Sequence, residues 1–352
     1  MKPSENTRIY EYDYIRALSA LLIVLYHWTT RYEQSVGHLG SWTFFVPFGS
    51  RAVATFFILT GFFSVQTCSQ NGLQFLAKRG ARLYPAYWSC IPITSAFMFL
   101  LMPERLLSLK EILLNFTMVE TLLGFPAVDG AYWSLAYELV FYFWVAVIFT
   151  RQSTKKQLFT CYLWMLFALI ATALANAGIT HIALSAFRIV FITPRVQQFL
   201  LGAGIALSQK LDQKQSVVPL FALCLLNDYL TANIWSALWC FVATLLIFLI
   251  ASGILHFSLR STSILHRSVC YFSSISYPVY LLHQFIGFSI IRCLELRGFR
   301  SPLLLFIPFL IILFLSSFVH KFIEIPAYRF LMQAIKNTAA NKTKGVPNER
   351  SQ

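Results

Sequence analysis

Charge is scarce in this sequence. Of 352 residues, 28 are Lys or Arg and 14 are Asp or Glu, 12% in all, about half the charged share of an ordinary globular domain. With 57% hydrophobic residues, a soluble protein of this length would lack the polar surface to cover its core. Metal and disulfide chemistry is also poorly provided for. The seven cysteines (68, 90, 161, 224, 240, 270 and 293) lie in or beside apolar stretches and form no CxxC pair. An odd number without ligand spacing argues against a disulfide framework or a zinc site, so no metal is expected; these side chains read as small buried hydrophobes. The net charge of +14 is spread in short clusters between apolar blocks, a pattern of membrane topology rather than of a polyanion-binding face, and nucleic acid is excluded as a partner. No cleavable signal is expected either, because the first apolar block contains Arg16 and His27 and has no small-residue cleavage site.

What the sequence does contain is apolar blocks of about 20 residues, enough to cross about 30 Å of hydrocarbon. The expectation is an all-α fold, a polytopic transmembrane helical bundle in the lipid bilayer. About ten spans are expected, near 14–30, 44–66, 86–102, 131–150, 158–177, 186–207, 216–230, 232–255, 270–290 and 302–322. They form one transmembrane domain over 1–330, followed by a polar, disordered cytoplasmic tail over 331–352. Sorting the connections by charge places Lys2, Arg8, Lys78, Arg79, Arg82, Arg151, Lys155, Lys156, Lys210, Lys214, Arg260, Arg267 and the tail on one side. The 103–130 segment, with Glu104, Glu111, Glu120 and Asp129 against Arg105 and Lys110, falls on the other. Both termini are then cytoplasmic. The loop carrying Arg292, Arg297 and Arg300 breaks the pattern, and the Asn115-Phe116-Thr117 sequon reads as chance.

Ionisable residues at membrane depth are functional candidates, because each costs several kcal/mol to bury. Arg16 and His27 are eleven residues apart, three helical turns plus about 20°, so they project from one face together with Ser19, Ala20 and Ile23. Glu138 falls in the fourth span, and His283 in the ninth, on a face with Ser276 and Tyr280. His27, Glu138 and His283 reach a similar depth in the outer half, as the lining of a buried polar pocket would. On the cytoplasmic side, Arg79 and Arg82 make a two-pronged cation suited to phosphate oxygens, with Glu324 near the same face. From the residues alone, blander readings stay open: Arg16 as a topology anchor, Glu138 as a counter-charge, and the histidines as interhelical hydrogen-bond partners.

The string Asp13-Tyr14-Ile15-Arg16-Ala17-Leu18-Ser19-Ala20, continuing to His27, resembles the opening signature of the acyltransferase-3 family of integral-membrane acyltransferases. Five further motifs follow in family order. They are Phe56-Phe57-Ile58-Leu59-Thr60-Gly61-Phe62, with Thr60 where the family usually has Ser; Arg79-x-x-Arg82 before Tyr84-Pro85; Trp133-Ser134-Leu135 with Glu138; Ser276-Tyr277 with Tyr280-Leu281 and His283; and Glu324-x-Pro326. Together they cover about residues 11–330.

The resemblance implies a multi-pass protein of a bacterial inner membrane. It would use cytoplasmic acyl-CoA, probed most simply as acetyl-CoA, as donor substrate with no permanently bound cofactor. Its acceptor would be a carbohydrate or glycolipid hydroxyl, such as that of a lipopolysaccharide O-antigen, and its neighbours the polysaccharide-assembly machinery. On this reading His27 is the general base, or transiently carries the acyl group, and Glu138 orients it. Arg16, Arg79 and Arg82 hold the donor, while Asp13, Trp133, Ser134, Tyr277, Tyr280, His283 and Glu324 support the pocket. Two alternatives remain: an acyltransferase acting on a non-polysaccharide small molecule, and a secondary transporter, which the lack of a repeat between the two halves disfavours.

Overall fold

The computed structural model describes residues 9–40, 44–68, 71–179, 181–257 and 263–344, with side chains up to 338. Lys2, Arg8, Arg260 and residues 345–352 therefore lie outside the described residues. Within them the chain is helical, with no strand. The main helices are α1 (Tyr10–Tyr26), α2 (Ala52–Thr67), α3 (Gly72–Leu101), α4 (Trp133–Trp144), α5 (Thr154–Asn176), α6 (Val196–Ser208), α7 (Val218–Thr231), α8 (Ile234–Ala251), α9 (Ile264–Ser274), α10 (Ser276–Leu296), α11 (Phe306–Val319) and α12 (Ile325–Lys344). Polar side chains set several starts: Asn71 caps α3 through the Gln74 amide (3.1 Å), and Asn233 caps α8 through that of Ser236 (3.0 Å).

Among the described residues, five stretches are long and apolar enough to cross a membrane: Pro47–Thr67, Thr154–Asn176, Ile234–Ala251, Ser276–Leu296 and Pro302–Thr338. Their outward faces carry large exposed apolar side chains, among them Phe159, Phe167, Phe241, Leu245, Leu310 and Phe314. Surfaces so apolar suit lipid rather than water. Trp133–Phe149 and Val196–Ser208 are apolar but shorter.

The structure corrects several expected boundaries. The 186–207 block is two helices, Ile182–Val190 and α6. Pro194 disfavours helical geometry in the residue before it, and Ile192 adopts a positive φ of 47°. The 270–290 block also divides, at Ile275. Arg79 and Arg82 lie not on a loop but on the early turns of α3, which continues through Pro85 and Pro92. The expected disordered tail begins as helix, since α12 runs to Lys344.

All thirteen residues of α6 are buried. It sits at the centre of one half of the bundle, against α2, α5, α7 and α8, as a mostly apolar helix must, and its buried Gln197 and Gln198 are satisfied by Asp228. Its contact with α2 is backbone to backbone. A Cβ on Gly202 would stand 1.8 Å from the Ile58 carbonyl oxygen, and one on Gly61 would stand 1.9 Å from that of Phe199. Small residues of this kind let membrane helices close to van der Waals contact. In the other half, α10 packs on α3 and α11, and α1 packs on α2, α9 and α10.

Candidate functional site

Two cavities meet between α1, α2, α4 and α10. The larger, about 490 Å³, is lined by His27, Arg51, Trp133, Tyr280 and Gln284 among others. The smaller, about 120 Å³, is lined by Arg16, Arg79, Arg82, Glu138 and Tyr142 among others. Val53, Phe57 and Tyr280 line both. Along each of the four helices the residues sort in order between the two, so the cavities lie end to end. The three shared residues mark the junction, or neck, between the Arg79 side and the His27 side.

His27 opens a widened π-type turn, His27–Arg31, that continues α1. Such turns recur at functional sites because they re-aim side chains. Next to it, the Trp28 indole donates to the His283 carbonyl (2.7 Å). The ring is pressed on Gly287, where a Cβ would come within 2.0 Å of its Nε1. This contact pins the end of α1 to α10 and sets the two histidines against each other. His283 Nδ1 lies 2.8 Å from the Tyr280 carbonyl, so it carries the proton and Nε2 is left as an acceptor. His27 Nδ1 lies 2.9 Å from the Ile23 carbonyl and 3.1 Å from His283 Nε2. Its proton is shared between these two acceptors. The tautomer of His27 is thereby set, and its Nε2 lone pair is left without a partner among the described residues, in a ring that lines the larger cavity. An imidazole so held can remove a proton from a group in that cavity.

Glu138 is placed differently from the expectation that it orients His27. Its Oε1 accepts from Thr60 Oγ1 (3.2 Å) and from the Tyr142 hydroxyl, in the wall of the smaller cavity. His283, not Glu138, touches the catalytic candidate. The sequence reading put Glu138 at the depth of His27 and His283, whereas the structure places it in the wall of the smaller cavity, on the Arg79 side, because depth against a neighbouring helix is set by packing.

The smaller cavity gathers the expected donor-binding cations. The Arg79 guanidinium donates to the Phe63 carbonyl (3.3 Å) and Thr67 Oγ1 (2.7 Å) and lies over the Phe75 and Tyr142 rings. Arg82 is exposed at its mouth. Arg16 lies 3.5 Å from Asp13 and over the Phe63 ring; Asp13 in turn accepts from Ser273 Oγ (3.1 Å). Ser134 Oγ and the Tyr280 hydroxyl are 2.6 Å apart, and the Tyr280 hydroxyl donates to the Ala131 carbonyl (2.8 Å). That pair fixes the neck. Tyr277 donates to the Leu83 carbonyl (3.0 Å), tying α10 to α3. Trp133 lines the larger cavity, whereas Glu324 pairs with His320 (2.7 Å) and lines neither.

Several residues at the site escaped the sequence reading. Asp129 accepts from the amides of Ala131 (2.9 Å) and Phe285 (2.9 Å), joining the start of α4 to α10. Gln198 lines the larger cavity and is held by buried Asp228 (2.8 Å), which also accepts from Gln197 (3.1 Å). Arg31, Arg51, Arg105 and Arg195 rim that cavity. In the sequence they are scattered, Arg31 and Arg105 between blocks and Arg51 and Arg195 inside them, and only the fold assembles them. Buried Asn115 is used internally: it donates to the Glu111 and Pro126 carbonyls and accepts from the Val128 amide. Glu120, in the same segment, is buried, and burial pushes its carboxyl up to about 7. Of the cations that broke the charge pattern, Arg292, in the last turns of α10, pairs with Glu104.

The acyltransferase-3 family model, described as an acyltransferase domain, matches residues 9–321. No curated protein and no solved structure gives a match.

Proposed function

The chain belongs to the acyltransferase-3 family and is a membrane acyltransferase, and on that premise we propose that it moves an acyl group, acetyl in the simplest case, from acyl-CoA to a hydroxyl of a carbohydrate acceptor. The observation that carries the reading is the pair of end-to-end cavities, one rich in donor-binding cations and the other holding the unpartnered Nε2 of His27. Phosphates of acyl-CoA bind Arg79, Arg82 and Arg16, and the pantetheine arm carries the thioester to the neck at Tyr280. The acceptor hydroxyl, in the larger cavity, gives its proton to His27 Nε2 while its oxygen attacks the thioester carbonyl. The carbon–sulfur bond breaks, and the departing CoA thiolate recovers a proton from the imidazolium. His283 Nε2 accepts from His27 Nδ1 throughout and shares the positive charge. Glu138 balances the arginines of the donor cavity.

Purified protein in lipid nanodiscs is expected to bind acetyl-CoA and to release free CoA when acceptor glycan is supplied. Arg82→Ala should weaken acetyl-CoA binding about ten- to hundredfold, as loss of a charge-assisted contact does, with an unchanged melting temperature. Arg79→Ala should lower both, because Arg79 also holds the end of α2 at Phe63 and Thr67. Calorimetry showing unaltered affinity in both variants sinks the donor assignment.

The orientation we propose places the Arg79 side, residues 155 and 212 and the C-terminus in the cytoplasm, with about ten membrane crossings in a bacterial inner membrane. Lys210 supports it: its ammonium donates to the Val65 carbonyl (2.8 Å) at the Arg79 end of α2, so the basic segments at 78–82 and 210 share one side. An impermeant thiol reagent on intact cells should label Leu39→Cys and leave Lys155→Cys and Asp212→Cys untouched; labelling at 155 reverses the orientation.

A further inference from the structure

The larger cavity has an unusual charge balance. Arg31, Arg51, Arg105 and Arg195 line it, and no Asp or Glu does. None of the four forms an ion pair with a described residue. Arg51, Arg105 and Arg195 are half-buried, and two are held rather than free. The Arg105 guanidinium donates to the Ser35 carbonyl (3.0 Å) and lies over the Phe285 ring, while that of Arg195 lies over the Trp133 ring. Four cations converging on one space without a counter-charge repel one another and are costly to desolvate. They also stand on the side where the positive-inside rule predicts few. Neutral polar groups complete the lining. Gln284, only 5% exposed, has an Oε1 with no hydrogen-bond partner among the described residues, an acceptor ready for a hydroxyl. Gly130 leaves room for that side chain, since a Cβ there would come within 2.4 Å of its Nε2.

From this we infer that the acceptor is acidic: it carries a carboxylate or phosphate close to the hydroxyl that is acylated, and the arginines of the His27 cavity bind that anion. The inference rests on the transferase reading for the side from which the acceptor enters. A guanidinium pairs bidentately with either oxyanion, and a cavity of about 490 Å³ is of the size that holds a small ligand or a short stretch of glycan. Gln284 and Gln198 would then read the ring hydroxyls while the arginines place the anion, leaving the reacting hydroxyl at His27 Nε2.

Three probes with one ring test it: methyl glucoside, methyl glucuronoside and methyl glucoside 6-phosphate, which differ only in carrying a hydroxymethyl, a carboxylate or a phosphate at the same carbon. Binding to the full protein in nanodiscs is measured by competition and by saturation-transfer NMR. At least one anionic probe is expected to bind about tenfold or more tightly than the neutral one, and the better of the two identifies the anion. Arg51→Gln should remove most of that preference, and Arg195→Lys, which keeps the charge, should retain part of it. Equal binding of the three probes, or no binding of any, overturns the inference, as does a preference that survives Arg51→Gln combined with Arg195→Gln. A loss of acetyl-CoA affinity in these variants, with no change among the sugar probes, also overturns it, by assigning the arginines to the donor. Thioester cleavage is followed separately. Protein that prefers the anionic probe but never cleaves acetyl-CoA keeps the anion site and loses the transferase reading, and the reverse result does the opposite.

Discussion

His27→Asn is expected to reduce acyl transfer by at least about a hundredfold, the lower end of what general base catalysis contributes. Asn has nearly the reach of the imidazole's Nδ1 side and can donate to the Ile23 carbonyl or His283 Nε2, which lie 2.9 and 3.1 Å from the native nitrogen. What it lacks is a basic atom at the position of Nε2, the one facing the larger cavity. Insertion, melting temperature and acetyl-CoA affinity should therefore stay near wild type while CoA release in the presence of acceptor collapses. Glu138→Gln should lose less, and chiefly through weaker donor binding, because its carboxylate is held by Thr60 and Tyr142 on the Arg79 side. A well-folded His27→Asn protein that acylates its acceptor at near the wild-type rate would remove His27 as the base and leave His283 Nε2 as the remaining imidazole nitrogen.

The second large effect is on folding. Gly202→Ala places a methyl 1.8 Å from the Ile58 carbonyl oxygen and 2.6 Å from the Phe62 amide nitrogen, both backbone atoms that no rotamer change can move. Helices α2 and α6 must separate along their whole contact, and α6 has no exposed side on which to give way, since every residue in it is buried. A cost of roughly 3 kcal/mol or more follows from overpacking on this scale, a large fraction of the stability of a typical domain. Gly61→Ala should behave alike, meeting the Phe199 carbonyl oxygen at 1.9 Å. The contrast is Gly80→Ala within α3, whose Cβ would meet only the Tyr84 ring at 3.8 Å. There the change should raise stability by about 0.5–1 kcal/mol, through helix propensity. Melting temperature and the monodisperse fraction on size exclusion measure both. A Gly202→Ala protein as stable as wild type would mean that α2 and α6 are not in backbone contact.

Helical class and membrane setting follow from the sequence alone, because a chain with 12% charge and apolar blocks of bilayer length has no other way to satisfy its backbone. The chemical candidates were legible for the same reason. An Arg or His inside such a block is expensive, so His27, His283 and Arg16 stood out singly, while Arg79 and Arg82 stood out as a pair spaced for phosphate. Thr60 and Tyr142, which hold Glu138, did not, since hydroxyls are common in any membrane helix. Neither did the arginines of the larger cavity: Arg31, Arg51 and Arg105 lie near segment ends, and Arg195 within a block that the structure divides. Sequence distance also hides the breaks: Pro194 and the positive φ of Ile192 divide a block whose hydropathy is continuous. The tertiary structure alone decided which polar groups meet. Helical periodicity specifies the face a residue occupies on its own helix, whereas rotation and depth against a neighbour come from packing. Gly287 beneath Trp28 is the contact that puts His283 beside His27, while Thr60 and Tyr142 hold Glu138 on the other side.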